Sequence, residues 1–183
     1  MEKLQKYSRY YFLENYLFKE VGASFKEKKP LTPFDLFAIA IWKANRNKGR
    51  IRDGIRERKS SVQKISSILA SVISNDEESK KNALKQLTEE IPGIKIPVAS
   101  AFLSVLYPND FTIVDGRIID ACKDYKIPYE PDPRRDVDSY FKYLNYCKNN
   151  FEKLGFKSLR DLDQALWGYS FFKELTEYVK DLK

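Results

Sequence analysis

Val62, Ile65, Ile68, Leu69, Val72 and Ile73 recur at steps of three and four residues, with two serines just ahead of them. That step places all six on one face of an α-helix and cannot be read as a strand, whose side chains alternate with a period of two. The same rhythm returns along most of the chain. Leu4, Tyr7, Tyr10, Tyr11, Leu17 and Val21 mark a first helix over 4–21. In LTPFDLFAIAIWKANR, Thr32 is placed to cap, Pro33 suits the first helical position and Asp35 completes a capping-box-like start. Residues 34–42 are apolar on nearly all sides except at Asp35, which places this helix in the middle of the core. A polar helix over about 77–90 turns Ala83, Leu84 and Leu87 inward, and a short one after Asp115 carries Ile118, Ile119 and Cys122. Val137, Tyr140, Phe141, Leu144, Cys147, Phe151 and Leu154 mark a further helix stopped at Gly155; Ser158 starts a last one with Leu162, Leu166, Tyr169, Phe172 and Val179. Only FTIVD, ending at Asp115, looks extended. The expected fold class is all-α.

The 183 residues suffice for one core-bearing domain spanning 1–183, with a proline-rich connector at about 127–136 as its best lobe boundary and C-terminal helices over 137–183. No apolar run is long enough to span a membrane, and MEKLQKYSRYY lacks the apolar middle of a secretory signal, so a cytoplasmic location is expected. The chain has no histidine and two cysteines, Cys122 and Cys147, both at positions that read as small buried apolar residues. That composition excludes His-based triads and a four-cysteine zinc or iron–sulfur site, and no metal or other cofactor is expected. Catalysis, if present, must rest on carboxylates, lysines, tyrosines or backbone groups.

The charge is uneven. KANRNKGRIRDGIRERK, residues 43–59, holds eight cations (Lys43, Arg46, Lys48, Arg50, Arg52, Arg56, Arg58 and Lys59) against Asp53 and Glu57, so +6 of the formal net charge of +7 sits here. A run of this kind is ordinarily a solvated face. Its one sign and its arginines also suit several phosphates, with salt-sensitive, sequence-independent binding.

The densest stretch is EEIPGIKIPVASAFLSVLYPNDFTIVDGRI, residues 89–118. A charged helix meets Pro92-Gly93, and Pro97 opens an apolar helix, which together make a hairpin of two helices over about 78–107. Gly93 allows φ > 0 and close backbone approach. The unpaired amides at the second helix start, around Ile96 and Val98, together with Lys95, would attract an anion such as phosphate. A buried Pro-Gly corner is the plain alternative.

IPGIKIPVASA followed by IVDGRI resembles the helix-hairpin-helix motif of the base-excision DNA glycosylase superfamily. Leu87, Ile91, Pro92, Gly93, Ile94, Ala99, Val114 and Asp115 match in order, and LTPFDLFAIAIWKAN is similar to the family's Pro-Phe-Glu-Leu-Leu helix, with Asn45 at the place of a duplex-wedging glutamine. The resemblance covers roughly residues 31–125. It implies two helical lobes with a cleft between them, duplex DNA as partner, Asp115 facing the sugar of an extruded nucleotide, and Trp42 and Trp167 as candidates to line a base pocket. From its place beside Asp115, Arg117 would pair with it or reach a phosphate, with a plain surface arginine as the equal alternative. Departures are plain. Lys95 replaces the hairpin's second glycine, where φ > 0 would cost about 1 kcal/mol. Pro97 stands where bifunctional members carry a Schiff-base lysine, and the iron–sulfur loop is missing. The implied type is a monofunctional, water-using N-glycosylase. A DNA-binding module of the same fold without chemistry, and a scaffold whose arginines meet an acidic protein, stay open beside it. Asp115 also reads as a simple helix cap.

Overall fold

In the computed structural model residues 5, 7–57 and 60–180 are described, and among them every regular element is helical and none is a strand. Arg58 and Lys59, the end of the basic run, lie outside the described residues, as does Leu4. The eight longer helices are labelled α1 (Pro33–Ala44), α2 (Lys48–Glu57), α3 (Val62–Ala70), α4 (Glu77–Glu90), α5 (Ile96–Leu106), α6 (Gly116–Tyr125), α7 (Val137–Asn150) and α8 (Leu159–Tyr178). The chain divides into two compact units at Tyr107 and Pro108, so the proline-rich connector lies inside the second unit and does not separate the two.

In the first unit the expected single helix over 4–21 is broken. A 3-10 turn at Ser8–Tyr10 is followed by Leu13–Asn15, a π-helical Tyr16–Val21 and an α-helical Gly22–Lys26. The start of α1 is as its sequence requires: Asp35 N–H donates to Thr32 Oγ1 at 3.1 Å and Thr32 N–H donates to Asp35 Oδ2 at 3.2 Å. The centre of the unit is α5 rather than α1. All of α5 except Pro97 is buried, because its alanines and serines let neighbours close on every side. In α1, Leu36, Ala38, Ile39 and Ala40 are buried, whereas Phe34 and Ile41 are 56% and 39% exposed. Phe34 joins an edge-to-face cluster with Tyr10 and Tyr16. α3 stops at Ala70, so Ile73 falls past its end and is exposed. α4 runs as expected with Ala83, Leu84 and Leu87 fully buried.

In the second unit the stretch 111–114 is extended but pairs with no strand. Phe111, Thr112, Ile113 and Val114 are buried, and the Tyr140 hydroxyl donates to the Thr112 carbonyl at 2.7 Å, giving that oxygen the partner a sheet would have supplied. α6, α7 and α8 pack together. Leu162 and Leu166 are buried, yet Phe172, Leu175, Tyr178 and Val179 are exposed. Tyr169, Phe171, Lys173 and Glu174 reach α6 through Asp124 and Arg117, so Phe172 is exposed because it is turned away from α6, and Tyr178 and Val179 come after the last of these contacts.

Cys122 and Cys147 are fully buried, and burial pushes each thiol up to about 12. Ellman's reagent at pH 8 should therefore label neither cysteine in the native protein and both in guanidinium chloride; one fast-reacting native thiol would contradict this packing.

Candidate nucleic-acid interface

Two clusters carry the candidate chemistry, one in each unit. In the first, α4 ends at Glu90 and the turn runs through Ile91 and Ile94, both fully buried, with Ile94 N–H donating to the Ile91 carbonyl at 3.0 Å. Gly93 has φ of 87°, as the Pro-Gly turn requires. Its open side faces α2: a Cβ there would lie 2.8 Å from Arg50 C and Ile51 N. From the other direction, a Cβ on Gly54 would collide with the Pro92 carbonyl oxygen and lie 2.7 Å from Pro92 Cβ. Two glycines thus bring the hairpin turn and the backbone of α2 into direct contact. The close approach expected of Gly93 is made to a helix of the same chain, as the buried-corner alternative has it, and not to an outside partner.

Lys95, the residue before α5, is extended with φ of −114°, so the strain expected of a lysine at the glycine place does not arise. No side chain caps α5. The Val98 amide, expected as a phosphate donor, donates to the Lys95 carbonyl at 2.8 Å, and the Ala99 amide to the same oxygen at 2.9 Å. Pro97 contributes no N–H. The side chains of Ile96 and Val98 are buried, while Lys95 itself is exposed. The exposed Lys95 ammonium remains a cation available to an anion at this turn.

The basic run folds into a helix that sequence reasoning left unassigned. Asn45–Asn47 make a 3-10 turn and α2 follows, with Ile51 and Gly54 buried and Lys48, Arg50, Arg52 and Arg56 exposed. The signal was present: Ile51, Gly54 and Ile55 share one face at helical spacing. Arg52 pairs with Asp53 at 3.0 Å, whereas Arg46, Arg50 and Arg56 have no carboxylate partner among the described residues. Asn45 is exposed, its Oδ1 accepting from Lys48 Nζ at 2.5 Å. Together with Phe37, Ile41, Arg46, Gly49 and Arg52, this pair lines an open hollow of about 550 Å³. Lys43 is half-buried, and Trp42 packs edge-on against Phe18 with ring centroids 5.7 Å apart.

In the second unit Asp115 caps α6, accepting from Ile118 N–H at 3.0 Å, and is half-exposed. Arg117, two positions on, lies over Trp167 at 5.3 Å and Phe171 at 5.5 Å and is ion-paired with Glu174. Trp167 and Phe171 stack with an interplanar angle of 8°. Arg134 comes beside Gly116, where a Cβ would be 3.5 Å from Nη1. It grips Asp132, with Nη2 to Oδ2 at 2.6 Å and Nε to Oδ1 at 3.0 Å, and its guanidinium holds the Asp132 carboxyl below the usual range.

Of the predicted site residues, the structure brings Arg117 and Trp167 together, with Asp115 at the start of the same helix as Arg117, and it lines one hollow with Asn45, Lys48 and Arg52, while Arg50 is exposed on another side of α2. Trp42 belongs to the first unit and Trp167 to the second. Arg134, Phe171 and Glu174 were missed; Trp167, Phe171 and Glu174 share the i, i+4, i+7 face of α8, which the sequence spelled out. Among the described residues no group of three or more His, Cys, Asp or Glu is placed to hold a metal ion, and no helix is long and apolar enough to cross a membrane. Compared with protein families, with curated proteins and with solved structures, the chain matches none.

Proposed function

We propose that the protein binds duplex DNA through α2 and the α4–α5 turn, and that Asp115 serves hydrolysis of an N-glycosidic bond. The observation that carries the first part is the way Gly54 and Gly93 fix a helix carrying four exposed cations against the hairpin turn. Cations held on a rigid helix lose little side-chain and backbone freedom when they meet phosphates. Lys95 on the adjoining turn adds a further positive charge.

The second part rests on the resemblance around Asp115 and on its surroundings. Loss of a base leaves positive charge on the sugar, and a fixed carboxylate stabilises it. Trp167 and Phe171 stack on each other under Arg117, and an unstacked base would take the place of the guanidinium over their rings. Pro97 has no amine, so water rather than a lysine takes the sugar carbon. A DNA-binding module without chemistry is the second reading, favoured by the bond from Ile118: the Asp115 carboxylate already has a structural task.

Asparagine caps a helix about as well as aspartate, so Asp115→Asn separates the two. On duplexes carrying a panel of damaged bases, the wild type should generate abasic sites, with the variant about 100-fold slower at unchanged duplex affinity. Equal cleavage removes Asp115 from the chemistry, and binding without cleavage of any substrate supports the module. No gel shift of duplex at low salt defeats both.

A further inference from the structure

Away from α2, the first unit holds an open hollow of about 750 Å³ between the Gly22–Lys26 segment, the loop after it and α3. That is within the size range of small-molecule sites. Its apolar corner is Phe25 and Tyr107, whose rings meet edge-to-face at 6.2 Å, with the Tyr107 hydroxyl anchored on the Leu69 carbonyl at 2.8 Å. Gln63 and Ser67 supply amide and hydroxyl groups at the wall, and Lys26, Lys28 and Lys29 supply the charge. Lys29 is partly neutralised by Glu27 at 2.7 Å; Lys26 and Lys28 have no carboxylate partner among the described residues.

Lys28 is the telling residue. Its φ is 61°, a left-handed conformation that costs a lysine on the order of 1 kcal/mol and a glycine nearly nothing. Position 28 follows a helix end, where glycine is the usual choice. The chain instead keeps a cation there, at the rim of an aromatic-cornered hollow. A flat ring for Phe25 and Tyr107, polar edges for Gln63 and Ser67, and an anion for Lys26 and Lys28 describe one ligand chemistry.

We propose that this hollow binds a nucleotide, its base against Phe25 and Tyr107 and its phosphate between Lys26 and Lys28. The nucleotide is either free or one unit of a single strand. Isothermal titration of the full chain with adenosine monophosphate should show saturable 1:1 binding, and adenosine or inorganic phosphate alone should bind at least about tenfold more weakly. Lys28→Gly relieves the backbone, so its unfolding temperature should be equal or higher while nucleotide binding weakens about tenfold, and further with Lys26→Ala. If a single-stranded oligonucleotide binds more tightly than the monophosphate, loses affinity in Lys28→Gly and is displaced by the monophosphate, the source is a strand; if it does not, the source is the free nucleotide. No saturable binding of either, or equal binding by the lysine variants, overturns the proposal. Duplex affinity, carried by α2, should be unchanged in Lys28→Gly, so this result and the test of duplex binding are independent.

Discussion

Gly93→Ala is expected to destabilise the first unit by roughly 4 kcal/mol, while Gly155→Ala costs the second only about 1–2 kcal/mol. Both glycines have φ of 87°, so both alanines suffer the same left-handed penalty. They differ in the space around the new methyl group. At Gly155 nothing lies within 4 Å; at Gly93 the Arg50 and Ile51 backbone is 2.8 Å away. Backbone atoms have no rotamer to retreat into, so the turn and α2 must separate, which adds an overpacking cost of about 3 kcal/mol. Gly54→Ala meets the same interface from the other helix. There the clash with Pro92 is offset by alanine's better helix propensity, about 1 kcal/mol, leaving a net loss of roughly 2 kcal/mol. Urea unfolding with unchanged m-values would measure all three. Equal losses at positions 93 and 155 would show that conformation alone sets the need for glycine, and the close approach to α2 would be refuted.

Replacing Arg46, Arg50 and Arg56 together with glutamine should weaken duplex binding roughly 100-fold at 0.1 M salt and reduce the slope of log affinity against log salt by about 3. These three have no carboxylate partner among the described residues, so removing them breaks no ion pair and leaves no buried charge stranded. Each neutralised phosphate adds about 0.9 to the salt slope, so the slope reports how many phosphates the protein grips and is insensitive to a general weakening of the fold. Thermal unfolding should be nearly unchanged, since Ile51 and Gly54 hold α2 in place and remain. If the affinity falls but the slope does not, these arginines act other than through phosphates. If neither changes, the basic face is not the binding surface.

The starts of α1, α6 and α8 were legible because their signals are local, whereas α2 and the broken segment before Lys26 were not. Thr32, Asp115 and Ser158 each cap through a bond to an amide three residues on, and the apolar steps of α4 and α6 need only the chain's own periodicity. The candidate site was legible only in part. Asp115 and Arg117 are two positions apart and were found together; the platform of Trp167 and Phe171 beneath Arg117 comes from a helix some fifty residues away. A periodic stripe says which face is apolar and not what covers it. Hence α1, apolar on most sides, leaves Phe34 and Ile41 exposed, and α8 leaves Phe172 and Tyr178 exposed.

By itself, then, the sequence determined an all-helical chain, a Pro-Gly turn with a left-handed glycine, and a positive charge gathered over 43–59. Tertiary structure alone decided that Gly93 faces Arg50 and Ile51, that Gly54 faces Pro92, and that the arginines between them are turned outward. The reason is physical: propensity and capping act over three or four residues, whereas a glycine's missing side chain has meaning only once the backbone that would collide with it, some forty residues away in the chain, has been brought against it.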